Sequence, residues 1–273
     1  MKNKISIIIP CKDDRRIIES IKSIDYKRVE VVIVFNGAVD SFVDYVKSEL
    51  INSKLDIEIY QLPKPNLALA LELGTQKSKN DLVLYMDSDC RFKKDAISRF
   101  VKVASEHDNS NNVFKGEVIF EKSDKWIEQI ISESRAHHTA EVLTAYKPPL
   151  MISKKILTKI GGYAFNEKLI WREDSDLDNR IRCAGISILP VAGGTIYHHT
   201  ISLKTDLRST FRYGIGLAIA NSMHIKLTEV PRSTLSSFIS KGLVVSLYML
   251  FRNRVYDAGY VYTRIKILFG RYA

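Results

Sequence analysis

The chain has 273 residues, 45% hydrophobic and 26% charged, enough for a large core in one domain or two small ones. Its Gly and Pro usage excludes a disordered or low-complexity protein. A net charge of +10 favours anionic partners, whether nucleotide phosphates, nucleic acid or acidic lipid headgroups, and by itself chooses none.

Strand and helix signals alternate over residues 1–120. "KISIIIP" is a β-branched run closed by Pro10, the pattern of a buried strand. "DRRIIESIKSI" places Ile17, Ile21 and Ile24 at helical spacing. "VEVVIVFNG" is a second strand ending in an Asn-Gly turn. "DSFVDYVKSEL" predicts a helix with Phe42, Val43, Val46 and Leu50 on one face. "LDIEIYQL" alternates as a strand, "NLALALELGTQKS" reads as a helix and "DLVLYMD" as the next strand. Such alternation predicts a parallel sheet covered on both faces, with ligands held at the carboxyl ends of its strands. Cys11 to Asp14, Asn36 and Asp87 to Asp89 stand at such ends.

The next stretch is less regular. "VFKGEVIFE" predicts a strand, and "SDKWIEQIISESRAHH" a helix with Trp126, Ile127, Ile130 and Ile131 as its core stripe. "PPLMISKKILTKIGGYAF" predicts a strand, a short helix and a Gly-Gly turn. "EDSDLDNRIRCAG" is a helix opened by acidic residues and closed by Gly185. "ISILPVAGGTIYHH" reads as a strand pair ending in His198 and His199.

Cys11, Cys90 and Cys183 are far apart and form no CxxC, which argues against a disulfide framework or zinc ribbon and fits a reducing compartment. The opening "MKNKISIIIP" lacks the shape of a signal peptide, so a cytoplasmic location is expected.

Asp87 and Asp89 close a buried strand. Two like charges so near each other repel unless a cation holds them. Hard oxygen ligands there suit Mg²⁺ or Mn²⁺ bound together with substrate phosphates. The plainer alternative is a turn, which Asp and Ser also favour. Glu173, Asp174, Asp176 and Asp178 crowd a helix start, followed by Arg180 and Arg182; helix-end electrostatics and ordinary ion pairs account for these equally well. One of His198 and His199 could join Asp89 in a metal site.

In this order the motifs resemble the family 2 glycosyltransferases of the GT-A fold. The likeness spans residues 4–200 and rests on "SIIIPCKD", "VFNG", "LALALELG", "LYMDSD", "IGGYAF", "EDSDLDNR" and "LPVAGGTIYHH". It implies an α/β, Rossmann-like mixed sheet with flanking helices as a catalytic domain over 1–200, and a helical extension over 201–273. It implies transfer of a sugar from a nucleotide-sugar, UDP-linked by default, with inversion at the anomeric carbon. Pro10, Cys11 and Asn36 would then hold base and ribose. Asp87 would sit near the ribose or the metal, and Asp89 would coordinate Mg²⁺ or Mn²⁺ on the diphosphate. His198 would add a ligand, with His199 the competing choice. Asp174 would be the general base and Glu173 its neighbour.

This chain departs from the family pattern at two places: Phe35 stands where an Asp usually contacts the base, and Glu72 where Asn is common. Trp171, before the acidic pair, is absent from many relatives; it would stack on an acceptor sugar or pack in the core.

After His199 the pattern changes. Leu207, Phe211, Ile215, Ile219 and Met223 recur every four residues and predict one apolar helix stripe. Arg208 and Arg212 flank it, and the resemblance makes Arg212 a candidate clamp on the donor diphosphate, against a plain surface role. Beyond Pro231, the uncharged run after Lys241 is shorter than the roughly 20 apolar residues needed to span a bilayer. The basic and aromatic stretch that follows suits peripheral contact with the inner face of a membrane, or docking on a partner. A lipid-linked or polyprenyl-linked acceptor, as is common in the family, would make use of that placement, as would surface or secreted polysaccharide synthesis.

Two other function classes share some of these features. A phosphatase-like fold also uses Asp-x-Asp, but after its first strand. A degenerate transferase that binds nucleotide without turnover fits Phe35. Nucleic-acid binding is disfavoured, because there is no zinc finger, RNP-type motif or dense basic helix.

Overall fold

A computed structural model describes residues 4–140, 143–229 and 242–270, without the side chains of 138–140. Pro231, Lys241 and the residues between them lie outside the described residues. The first strand, β1 (Ile5–Cys11), is buried at every position. Its side chains alternate between two cores, as the pleat requires: Ile5, Ile7 and Ile9 face one cluster and Ile8 the other. β2 (Val29–Asn36) alternates in the same way, with Val31, Ile33 and Phe35 on the first side and Val32 and Val34 on the second. Helices α1 (Ile17–Lys22) and α2 (Asp40–Leu50) cover the first face, while β3 (Asp56–Leu62) leads into α3 (Leu67–Lys77) on the second.

β4 (Leu82–Tyr85) completes a parallel block in the order β3-β2-β1-β4. The sheet then turns mixed. Short β5 (Cys90–Phe92) leads into α4 (Ala96–Glu106), β6 (Asn112–Phe120) and α5 (Trp126–Ala140). β7 (Leu150–Ser153) runs antiparallel to both β4 and β6, and β8 (Ser187–His198) lies between β6 and β5. A 3₁₀ turn over Lys154–Lys159 follows β7, and α6 (Glu173–Cys183) precedes β8.

β8 corrects one expectation. "ISILPVAGGTIYHH" is a single strand, not a strand pair. Lys115 pairs with Pro190 and Glu117 with Thr195, so β8 bulges between these rungs. The Gly-Gly pair makes the bulge rather than a hairpin: a Cβ on Gly116 would stand 2.0 Å from the Gly194 carbonyl oxygen.

Two C-terminal helices, α7 (Leu203–Ser222) and α8 (Leu243–Leu268), pack on each other, and α8 also packs on α5. They cross with almost no side-chain layer between them. A Cβ on Gly214 would meet the Tyr256 carbonyl oxygen at 2.0 Å, and one on Gly259 the Phe211 carbonyl oxygen at 2.0 Å. The buried line of α7 therefore runs through Asp206, Thr210, Gly214 and Leu217. Of the stripe expected from Leu207 to Met223, Ile219 is buried, Leu207, Phe211 and Ile215 are half-buried, and Met223 is exposed. Among the described residues, no helix is long and apolar enough to cross a membrane.

Candidate active site

A cavity of about 490 Å³ opens where the mixed half of the sheet meets α5, α6, α7 and α8. Asp87, Asp89, Glu173, Asp174, His198 and Trp171 all line it. The antiparallel register of β5 on β8 sets Cys90 opposite His198, which brings Asp89 beside that histidine. His198 Nε2 lies 3.7 Å from Asp89 Oδ2. Its Nδ1 is 2.7 Å from the His199 carbonyl oxygen, which holds the proton on Nδ1 and leaves the Nε2 lone pair facing Asp89. His199 is engaged elsewhere, between Glu121 at 3.0 Å and Glu19 at 3.3 Å.

A ligand atom of Cys90 falls within 4.8 Å of those of Asp89 and His198. Burial, and then Asp89 and Asp87, hold its thiol well above the usual range, so it stays protonated. A neutral thiol is a poor partner for a hard cation. Asp89 and His198 are the residues here that would hold a divalent ion, one through a carboxylate oxygen and one through an imidazole nitrogen. Asp87 is committed differently. Its Oδ1 lies 3.2 Å from Lys147 Nζ, and the same ammonium stands 3.8 Å from Glu173 Oε1. The Lys147 side chain is only 6% exposed, so one buried cation ties the Asp-x-Asp turn to the acidic pair at the start of α6.

The crowd of acids on α6 sorts by partner. Asp176 accepts from Arg180 (2.9 Å), whose other nitrogens donate to the carbonyls of Ile160, Tyr163 and Ala164. That clamps the turn at Gly161 and Gly162, where φ of +100° and +86° strains any other residue. Asp178 accepts from Ala145 N (2.5 Å) and Arg182 Nε (2.6 Å). Glu72 accepts from the N–H groups of Ala164 and Phe165, so it too is structural. Glu173 and Asp174 are left facing the cavity.

Burial raises both of these carboxylic acids. It pushes Glu173 up to about 7 against the pull of Lys147, with Asp174 adding repulsion. Asp174 is raised by burial against Lys147 and Arg172. Folded Glu173 therefore keeps a proton that the unfolded chain releases near 4.5, and its contribution to stability falls as pH rises between those values. Glu173→Gln removes that loss. The variant is expected to exceed the wild type at pH 8 by up to about 3 kcal/mol. The gain should vanish near pH 4.5; urea unfolding at both pH values checks it.

The backbone before α6 is strained, with φ of 71° at Trp171 and 66° at Arg172. Arg172 holds this geometry by donating to Ser175 Oγ (2.8 Å), the Tyr256 hydroxyl (2.8 Å) and the Thr228 carbonyl (3.0 Å). Trp171 meets Tyr213 edge to face, and the Arg212 guanidinium stands 4.8 Å over its ring. Arg212 itself does not line the cavity, nor do Pro10, Cys11 and Asn36. Pro10 and Cys11 are buried in β1. Asn36 Oδ1 accepts from Asn66 N at 2.6 Å, which sets the start of α3. Phe35 is fully buried, edge to face on Phe42, and does not present its ring to a ligand.

Sequence reasoning missed the cavity's lysines. Lys147 sits in the irregular "YKPPL", where no periodicity points to it. Lys115 is a cation within the mostly apolar strand "VFKGEVIF", a signal that was available. It donates to the carbonyls of Tyr146 (2.6 Å) and Pro148 (3.0 Å), and burial pushes its ammonium down to about 8.

An eight-stranded mixed sheet flanked by helices has counterparts among solved structures. The model for "Glycosyl transferase family 2" matches residues 6–172, so the chain belongs to that family and is a glycosyltransferase. Its fold is GT-A, as in the mannosyltransferase PcManGT from Pyrobaculum calidifontis, solved with GDP-Man and Mn²⁺. That structure is 15% identical at a TM-score of 0.61, over 95% of this chain and 74% of its own. S. aureus TarS 1-349, solved with UDP-GlcNAc, is 15% identical at a TM-score of 0.56, over 98% of this chain and 93% of its own. No curated protein matches the chain by sequence.

Proposed function

We propose that the protein moves a sugar from a nucleotide-sugar to a hydroxyl of a glycan or lipid-linked acceptor, with inversion and with a divalent metal. One observation carries this reading: Asp89 with His198, and Glu173 with Asp174, face the same cavity from different elements. Fold relatives solved with GDP-Man and Mn²⁺ or with UDP-GlcNAc support a nucleotide-sugar donor.

Asp89 and His198 would hold Mn²⁺ or Mg²⁺, which when bound neutralises the charge developing on the leaving diphosphate. Asp174 takes the proton of the acceptor hydroxyl. The acceptor oxygen bonds to the anomeric carbon as that carbon's bond to the diphosphate breaks, and a nucleoside diphosphate leaves. A base raised above the usual carboxylate range by burial suits this work near neutral pH. Lys147 keeps the acidic turn and the acidic pair in register. Trp171, with one face taken by Arg212, offers its remaining surface to the acceptor.

The surface of α8 adds a placement. Leu243, Val244, Leu247 and Phe251 are each more than half exposed near its start, and Leu268 and Phe269 at its end. With Arg254 largely exposed beside Asp257, this face suits the headgroup region of an anionic membrane.

The test is incubation with UDP- and GDP-sugars and Mn²⁺, following nucleoside diphosphate release and the product's anomeric configuration by NMR. Release from one donor class with inverted product supports the reading. Release with retained configuration, or no release from any donor, contradicts it.

A further inference from the structure

The cavity lining holds a second charged cluster that the donor chemistry does not use. Asp206 on α7 is fully buried and accepts three charged or polar donors. Arg135 Nε from α5 lies 2.7 Å from its Oδ1. The Tyr248 hydroxyl (2.6 Å) and Arg252 Nε (2.9 Å), both from α8, reach its Oδ2. Arg252 also donates to Thr210 Oγ1 and Ser134 Oγ. Among the described residues, Asp206 is the carboxylate within ion-pair range of either guanidinium. Two guanidiniums on one carboxylate leave a net positive charge in a region where both arginine side chains are about 15% exposed.

Such a charge is costly in a low-dielectric wall unless an anion joins it. Both Arg135 and Arg252 line the cavity, together with the hydroxyls of Thr205, Ser209 and Thr210. The lining also includes apolar Val118, Phe120, Ile201 and Met249. Tyr213, another lining residue, feels both sets of charges: Arg135 and Arg252 on the one hand, Asp174 and Glu173 on the other. The cavity therefore carries a cationic cluster besides its carboxylate pair and its Asp89–His198 pair.

We propose that Arg135 and Arg252 form an anion subsite that binds a phosphate group carried by the acceptor, in the same cavity as the Asp174 base. This rests on the glycosyltransferase reading and narrows its acceptor to a phosphorylated one. The phosphate accepts charge-assisted hydrogen bonds from the guanidiniums and completes the charge balance that Asp206 leaves open. Acceptor binding also locks α5, α7 and α8 together, next to the Arg172–Tyr256 contact that holds the start of α6.

The experiment is calorimetric titration of inorganic phosphate and of decyl phosphate into wild type, Arg135→Gln and Arg252→Gln, each with and without saturating UDP or GDP and Mn²⁺. Arg135→Gln leaves a one-to-one pair of Asp206 with Arg252, so it should fold with an unchanged or higher Tm. Expected are phosphate binding by wild type in the presence of nucleotide, and loss of about tenfold or more in affinity in either variant. Nucleotide affinity should stay the same. Decyl phosphate binding well above inorganic phosphate would mark the source as a lipid phosphate on the apolar lining. Equal binding would mark a phosphorylated glycan. The proposal is overturned if wild type binds neither phosphate, if folded Arg135→Gln binds them as well as wild type, or if the variants lose nucleotide and phosphate together. That last result would make these arginines part of the donor site. Failure of the donor reading shows separately, as absence of nucleotide binding by wild type.

Discussion

Asp174→Asn is expected to lower kcat by about 10²- to 10⁴-fold while nucleotide binding is retained. The substitution keeps the shape of the side chain and its place at the first turn of α6, and removes only the capacity to take a proton. The pH profile gives a second reading. Burial raises the Asp174 carboxyl, so wild-type rate should climb with pH through a range above that of ordinary carboxylates. That limb should disappear in Asp174→Asn. A variant with near-wild-type kcat, or with the acidic limb intact, would move the base elsewhere in the cavity, and Glu173 would be the first alternative.

Lys147→Met carries the second large effect. The lysine is the one cation within 4 Å of both Asp87 and Glu173 among the described residues, and removing it leaves two carboxylates facing each other with little solvent. Loss of one partner from a buried charge cluster costs about 3–5 kcal/mol. Protonation of Glu173 limits the damage at low pH. The destabilisation should therefore be greater at pH 8 than at pH 6, as read by urea unfolding at both. Equal stability of variant and wild type at pH 8 would show that Lys147 does not hold the acidic motifs together.

The parallel half of the molecule was legible because its strands are continuous β-branched runs and its helices are periodic. β1, β2 and β4 bury all or nearly all of their residues, and that hydrophobic pattern is what the sheet demands. The acidic run at α6 and the Asp-x-Asp turn were visible as charge gathered at element ends, but the spacing did not separate the cavity-facing pair, Glu173 and Asp174, from Asp176 and Asp178, which Arg180 and Arg182 hold. Helix α4 was not anticipated, although Ile97, Phe100, Val101 and Ala104 are its buried face; it follows a strand of only three residues and starts after Asp95 at φ 64°. The "AGG" of β8 suggested a hairpin because Gly-Gly serves turns and bulges alike, and only the register decides between them.

Lysines and arginines of the cavity were illegible for a physical reason. Lys147, Arg135 and Arg252 act through partners far away in the chain, Asp87, Glu173 and Asp206, and no local spacing encodes those meetings. Conversely, Asn36 looked like a ligand from its place at a strand end, and its side chain is engaged by the start of α3. The α7 stripe misled because close helix packing at Gly214 and Gly259 buries small residues and leaves the larger ones at the margin.

The measurement that tests the central claim most directly is calorimetric binding of UDP and GDP with and without Mn²⁺, on wild type and Asp89→Ala. One nucleotide should bind in a Mn²⁺-dependent manner, with affinity reduced about tenfold or more in the variant. Absence of binding under every metal condition, or equal Mn²⁺-dependent binding by Asp89→Ala, would contradict a donor site built on Asp89 and His198. The Asp-x-Asp pair would then be a capped turn in a glycosyltransferase fold whose cavity does other work.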